Sequence, residues 1–413
     1  MEEYDVVIVG GCFAGLTLAK HLPTSLKILV LEAKPTVGAT VESTGLITSN
    51  TRTQFASFLP IDKFITNPIS SICVVAPNFK NSFFSSTDNP WIYQTDTKAL
   101  VAAMAHDLPP NVTLRTSTVF VTVTGEEEKK IISLIGSGKK YEVCARFLVG
   151  ADGAKSQVAT ASELEQNKQF LYGYERVYFG DVLLGDNPGE TIYHFWFGKF
   201  SLGYGGWLSP TIINGRPGIR LGLAKLMKDR GDAGKLTDLF VAKLIEEKII
   251  KITDEPPSYV FGSLIPIGGA LKNTYRDNVL LLGNAAGFCG AFAADGIKGA
   301  IIAGKEAAPL IAKHLTAREK FSLSAFSRNV NRHDWLLDYY HRQVRYRWAW
   351  NMMKHDRTFA ALWSVVQKEK ESFLHQFCDS KDRRRSLIWT VVKLNNIPRL
   401  TKFAFYLILD IFS

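Results

Sequence analysis

Asp5-Val6-Val7-Ile8-Val9-Gly10-Gly11-Cys12-Phe13-Ala14-Gly15-Leu16, then Thr17–His21, then Leu26-Lys27-Ile28-Leu29-Val30-Leu31-Glu32, is the stretch around which the rest of this 413-residue chain is organised. An apolar run of β-branched residues, a glycine-rich break, a short helical stretch and a second apolar run predict a strand–helix–strand unit beginning almost at residue 1. Glu32 closes the second strand 22 positions after Gly10. At that spacing a carboxylate can accept hydrogen bonds from a ribose while the loop N–H groups and the helix start hold a pyrophosphate. The middle glycine of the usual G-x-G-x-x-G is replaced by Cys12. Backbone can still approach a pyrophosphate there if that side chain is compact and points away. The same residues also suit an ordinary crossover with a tight turn and no ligand.

At 413 residues and 46% hydrophobic content, the chain can build two or three domains with buried cores. Glu2, Glu3 and Asp5 lead straight into the first strand, unlike a secretory signal. No uncharged apolar run approaches the roughly 20 residues that span a bilayer. Cys12, Cys73, Cys144, Cys289 and Cys378 are scattered and lack metal-ligand spacing, which predicts reduced thiols in a cytoplasmic protein and no metal site. The net charge of +10 is uneven: from Arg328 to Ser413, sixteen Lys/Arg stand against eight Asp/Glu, and the rest is near neutral. No nucleic-acid module signature accompanies it, so no nucleic-acid partner is expected.

Beyond Glu32, Lys34-Pro35-Thr36-Val37-Gly38 and Val41-Glu42-Ser43-Thr44-Gly45-Leu46-Ile47 read as loop. Short strands (Ser71–Ala76, Asn81–Ser85) follow within Phe55–Trp91. Thr97–His106 has a helical pattern, Thr113–Arg115 and Val119–Val123 read as strands, and Glu126–Lys130 as a charged hairpin tip. Ala145-Arg146-Phe147-Leu148-Val149-Gly150-Ala151-Asp152-Gly153 is a strand running into a turn with an acceptor at its tip. Asn278-Val279-Leu280-Leu281-Leu282-Gly283-Asn284 repeats the idea. Ala294-Asp295-Gly296-Ile297 then opens an alanine-rich helix to about His314, whose first N–H groups face beyond the strand end.

Together these three stretches, within residues 4–320, resemble FAD-dependent flavoproteins of the para-hydroxybenzoate hydroxylase fold, and among them the geranylgeranyl reductase family. The resemblance implies an α/β fold: a Rossmann-like FAD-binding domain with an inserted antiparallel sheet for substrate and a C-terminal helical region. The expected divisions are 1–54, 92–162 and 272–320 for FAD, 55–91 and 163–271 for substrate, and 321–413 for the helices. Gly10, Gly11, Cys12, Phe13, Ala14 and Gly15, with Glu32, Ala33 and Lys34, would hold the ADP half. Ser43, Thr44 and Val119 are further cofactor positions, and Asp152 would lie near the pyrophosphate and ribose. Gly283 and Asn284 would sit at the ribityl chain, with Gly296 and Ile297 at the flavin O2 edge. The chain departs from the family where Asn284 replaces Asp, where Ser43 stands at a position that usually holds Cys, and where the stretch Tyr93–Asp96 lacks an Arg.

Between the second and third motifs, Glu190–Phe197 and Gly205–Pro210 are aromatic strands, and with Gly218–Lys225 they suggest a sheet covering the flavin. Tyr204, Trp207 and Pro210 lie in a run that partly matches the reductase motif Y-x-W-x-F-P followed by G-x-G: Trp207 and Pro210 match, Ser209 replaces Phe, and Ala224 in Gly222-Leu223-Ala224 replaces the last Gly. The three are substrate candidates, though aromatic strands equally make plain core. No His, Glu or Lys is expected to be poised there, since hydride transfer draws its chemistry from the cofactor, and the catalytic residues stay unassigned. After Phe321, five of the eight tryptophans (Trp335, Trp348, Trp350, Trp363, Trp389) fall in basic, aromatic helices such as Lys381–Arg385. Leu400, Phe403, Ala404, Leu407, Ile408 and Ile411 fall on one face of the last, with Arg399, Lys402 and Arg383-Arg384-Arg385 nearby.

The expectation is an FAD-dependent reductase of a polyprenyl lipid or diphosphate, with NAD(P)H or a ferredoxin-like protein as electron donor. It would be cytoplasmic and peripheral on the inner face of the membrane through its C-terminal region. Alternatives are a flavin monooxygenase and a non-catalytic flavin-binding protein.

Overall fold

A computed structural model describes residues 1–126, 128–377 and 387–413. The tip residue Glu127, Cys378 and the basic cluster Lys381–Arg385 lie outside the described residues.

The opening motif builds the centre of the first sheet. Strand Glu2–Val9 pairs in parallel with Ile28–Leu31 on one side and Lys139–Gly150 on the other. Val112–Arg115 and Val279–Leu281 extend this parallel core at its two edges. Val6, Val7, Ile8, Ile28, Leu29, Val30, Phe147 and Leu148 are wholly buried. Helices cover both faces of such a sheet, so its strands read as continuous apolar runs. Helices Phe13–His21 and Ile297–Ala317 pack together over it.

A seven-stranded sheet stands apart, in the order Ile250–Pro266, Phe170–Val182, Arg216–Leu226, Gly205–Ile213, Thr191–Phe195, Ser71–Val75, Ser82–Ser86. It is antiparallel except where Thr191–Phe195 meets Ser71–Val75. A small third sheet joins Leu46–Thr48, Ile92–Thr95 and Ile65–Ile69, taking strands from both sides of the divisions expected near residues 54 and 91. The loop expected through Ile47 thus ends at Gly45, because Leu46–Thr48 finds a partner strand in Ile92–Thr95.

The C-terminal region is helical: Leu323–Arg332, Leu336–Asn351, Asp356–Lys368, Lys370–Phe377, Leu387–Val391 and Ile397–Ile411. Ile397–Ile411 docks on Asp356–Lys368. Only part of the expected apolar face is used for this: Leu400, Phe403 and Leu407 turn inward, whereas Ala404, Ile408 and Ile411 stay exposed with Phe405. The helix is apolar nearly all round, so one stripe packs and another is left over. Among the described residues, no helix is long and apolar enough to cross a membrane.

Candidate cofactor and substrate site

Four parallel strands end at one cavity of about 760 Å³. Its lining takes Val9–Ala14 and Leu31–Lys34, the Ala151–Lys155 turn, and Gly283 with Asn284. The seven-stranded sheet supplies the opposite wall, with Tyr172, Gly173, Glu175, Trp207, Ala224 and Phe261. Such a volume lies in the range of small-molecule and cofactor sites, about 300–1,000 Å³.

On the first wall, Gly10 has φ +113°, and a Cβ there would collide with the carbonyl of Ala151, so the turn admits glycine alone. Glu32 accepts the N–H groups of Gly11 at 3.0 Å and Lys34 at 2.9 Å. Cys12 is the residue before helix Phe13–His21, and its side chain makes no capping bond. Burial pushes its thiol up to about 11, so it stays neutral near the helix start. Asp152 also lines the cavity, but its carboxylate is engaged by its own turn, accepting from Ser156 Oγ at 2.6 Å and Val158 N at 3.0 Å. Gly296 precedes helix Ile297–Ala317, whose start has no side-chain cap. Its positive end, and the buried Lys298 in its first turn, face the same space.

Most of the residues expected at a cofactor line this one cavity: Gly10, Gly11, Cys12, Phe13, Ala14, Glu32, Ala33, Lys34, Ser43, Thr44, Asp152, Gly283, Asn284, Gly296 and Ile297. Gly15 does not; it lies inside the helix, where a Cβ would strike the Gly10 carbonyl, so it serves the packing of helix on strand. Val119 is also misplaced: it is 46% exposed, because successive strand residues face opposite sides, and its neighbours Thr118 and Phe120 reach the cavity instead. The same alternation corrects Pro210, which lies on the sheet face opposite Trp207 and is not part of the lining. Tyr204 and Trp207 do line it, their rings edge-on at 5.9 Å.

Residues 3–184 match the family model described as FAD binding domain. The chain is 24% identical over 386 residues to the digeranylgeranylglycerophospholipid reductase of Methanococcus vannielii, covering 92% of this chain and 90% of that one. A geranylgeranyl bacteriochlorophyll reductase-like protein from Thermoplasma acidophilum superposes with a TM-score of 0.75 at 19% identity, over 89% of this chain and 92% of the other. The p-nitrophenol 4-monooxygenase of Pseudomonas putida superposes at 0.68 and 16% identity, over 94% and 98%.

The chain is an FAD-dependent oxidoreductase of geranylgeranyl reductase-like fold.

The residues present suit FAD. The tight Gly10 turn, the oriented Glu32 carboxylate and the uncapped start of Ile297–Ala317 offer, in order, backbone approach, an acceptor and a place for negative charge. The second wall corrects one expectation, since ionisable groups are poised there: Glu175 and His194 line the cavity from the sheet. From the first wall, Lys298 reaches the same cavity. Lys298 pairs with Asp334 at 3.4 Å, and Asp334 is also held by Asn50 at 2.9 Å. Glu175 is 1% exposed and accepts from Trp207 Nε1 at 2.9 Å and from Arg220 Nη2 at 2.7 Å. Alternation along residues 172–176 is the strand signal available for Glu175 in the sequence, while its partners Trp207 and Arg220 come from other strands.

Proposed function

We propose that this oxidoreductase saturates double bonds of a polyprenyl lipid, such as a geranylgeranyl glycerolipid or diphosphate. The observation that carries the reading is the wall facing the cofactor residues: Ile192, Tyr204, Trp207, Phe261, Leu264 and Ile265 are apolar or aromatic, and Gly173 and Ala224 keep it open. An alkene held against that wall needs water excluded and one carbon aligned, which the packed rings supply. Bound FAD, reduced by NAD(P)H or a ferredoxin-like protein, supplies the hydride chemistry. A proton must reach the neighbouring carbon, and the imidazole of His194 and the phenol of Tyr204 are groups in the lining able to carry one. Similarity to a digeranylgeranylglycerophospholipid reductase supports the substrate class.

A polyprenyl substrate resides in a bilayer, and the C-terminal helices suit work at its surface. Trp389 (72% exposed), Leu394 (86%) and Phe412 (85%) protrude there with Ile397, Phe405 and Ile408. Arg399 and Lys402 are exposed beside them. Each basic residue near an anionic surface contributes about 1 kcal/mol, and the apolar side chains add burial.

The test is anaerobic: enzyme with reduced flavin is mixed with digeranylgeranylglycerol phosphate in detergent micelles and flavin absorbance is followed. Reoxidation that depends on lipid is expected. A flavin that stays reduced with lipid and is oxidised only by oxygen overturns the reading.

A further inference from the structure

Glu175, Gly222 and Trp207 are paired in register on three neighbouring strands, Phe170–Val182, Arg216–Leu226 and Gly205–Ile213. In-register residues share a face, and here it is the face turned to the cavity. A Cβ on Gly222 would come within 2.5 Å of Trp207 Cζ2. The bare middle strand therefore lets the indole lie across it and reach Glu175, whose Oε2 accepts Trp207 Nε1–H at 2.9 Å. The other oxygen, Oε1, accepts Arg220 Nε at 2.9 Å and Nη2 at 2.7 Å. Arg220 Nη2 also donates to the backbone carbonyl of Ser43 at 3.4 Å. Ser43 belongs to the loop that lines the cavity between the two walls, and that loop is tied again at Gly45, whose carbonyl accepts Thr95 N and Oγ1.

Glu175 and Arg220 have side chains only 1% and 13% exposed. Burying such a pair is costly, and an apolar pair of similar volume holds a sheet together as well or better. What the charged pair adds is direction. A carboxylate with both oxygens committed fixes the rotation of the indole, and a forked guanidinium fixes its distance from the Ser43 carbonyl.

We propose that Glu175 and Arg220 are positioning residues that lock the Trp207 face of the substrate sheet to the Ser43 loop, so that the two walls of the cavity keep one spacing. Neither needs to exchange a proton. The effect on turnover rests on the reductase reading; the effect on the loop does not.

Glu175→Gln removes the charge but keeps an acceptor for the indole. Arg220→Lys keeps the charge beside Glu175 and loses the fork that reaches Ser43, and it serves if the first variant folds poorly. Amide hydrogen exchange on FAD-loaded protein should be about tenfold faster in residues 41–47 of either variant, with the sheet strands still protected. With pre-reduced enzyme and digeranylgeranylglycerol phosphate in micelles, the rate at saturating lipid should fall about tenfold or more while KM moves less than about threefold. Wild-type exchange in residues 41–47 of both variants overturns the proposal, as does a wild-type rate in a variant whose loop has loosened. If wild-type enzyme is not reoxidised by lipid but the loop still loosens in the variants, the reductase reading fails and the positioning assignment stands.

Discussion

Glu32 accepts the backbone N–H of Gly11 at 3.0 Å, so the carboxylate that ends the second strand is bonded into the loop that ends the first. That bond, with the second from Lys34 N, orients the carboxylate before any ribose arrives. Charge-assisted bonds of this kind contribute about 1.5–3 kcal/mol each. Glu32→Ala should therefore weaken FAD binding about 10- to 150-fold, with Glu32→Gln in between. Titration of apoprotein with FAD measures it, and equal affinity in Glu32→Ala and wild type would remove Glu32 from the cofactor site.

Cys12 occupies the position of a motif glycine, and its neutral thiol, raised to about 11, should resist chemistry that needs a thiolate. Alkylation by iodoacetamide at pH 7.5, mapped by mass spectrometry, is expected to be slow at Cys12. Cys12→Gly should keep FAD affinity at or above wild type, since a glycine only widens the backbone's approach. A large loss of FAD in Cys12→Gly would show that the side chain takes part in binding.

The first sheet was legible because its strands are buried on both faces and so read as unbroken apolar runs, as in Val6–Val9 and Phe147–Val149. Helix Thr97–His106 was equally plain. Position within a strand was harder. Val119 sits one step from the lining residues Thr118 and Phe120, and Pro210 an odd number of steps from Trp207, so each side chain turns to the other face. Glu175 and Arg220 are 45 residues apart in the chain, and only strand register brings them together. Motif matching found Trp207 but not the carboxylate that holds it.

Asp410 docks the last helix. Its carboxylate accepts Lys354 N at 2.7 Å, His355 N at 3.2 Å and His355 Nδ1 at 2.8 Å. Burial alone would raise its pKa, but these bonds outweigh it and bring the pKa from 3.8 down to about 2. The stabilisation is thus fully present above pH 3.8 and is lost as pH falls through about 2. Limited proteolysis after short acid exposure should show Ile397–Ile411 released across that window. Asp410→Asn should loosen the helix at neutral pH by about 1.5–3 kcal/mol. Release with a midpoint above pH 5 would assign the docking to another group.

Deleting the last helix would remove packing as well as any membrane contact, because Leu400, Phe403 and Leu407 face inward. The sharper variant changes only outward residues: Phe405→Ser, Ile408→Ser and Phe412→Ser together. Sedimentation with anionic vesicles should weaken with salt in wild type and fall about tenfold or more in the triple variant, with flavin content unchanged. Equal sedimentation would place any membrane contact elsewhere.

The fate of the substrate's double bonds separates a reductase from a hydroxylase. Enzyme supplied with a chemical reductant in air and digeranylgeranylglycerol phosphate should yield lipid heavier by two hydrogens for each bond saturated, as read by mass spectrometry. A product heavier by one oxygen atom, with its double bonds intact, would contradict the account and make the protein a hydroxylase.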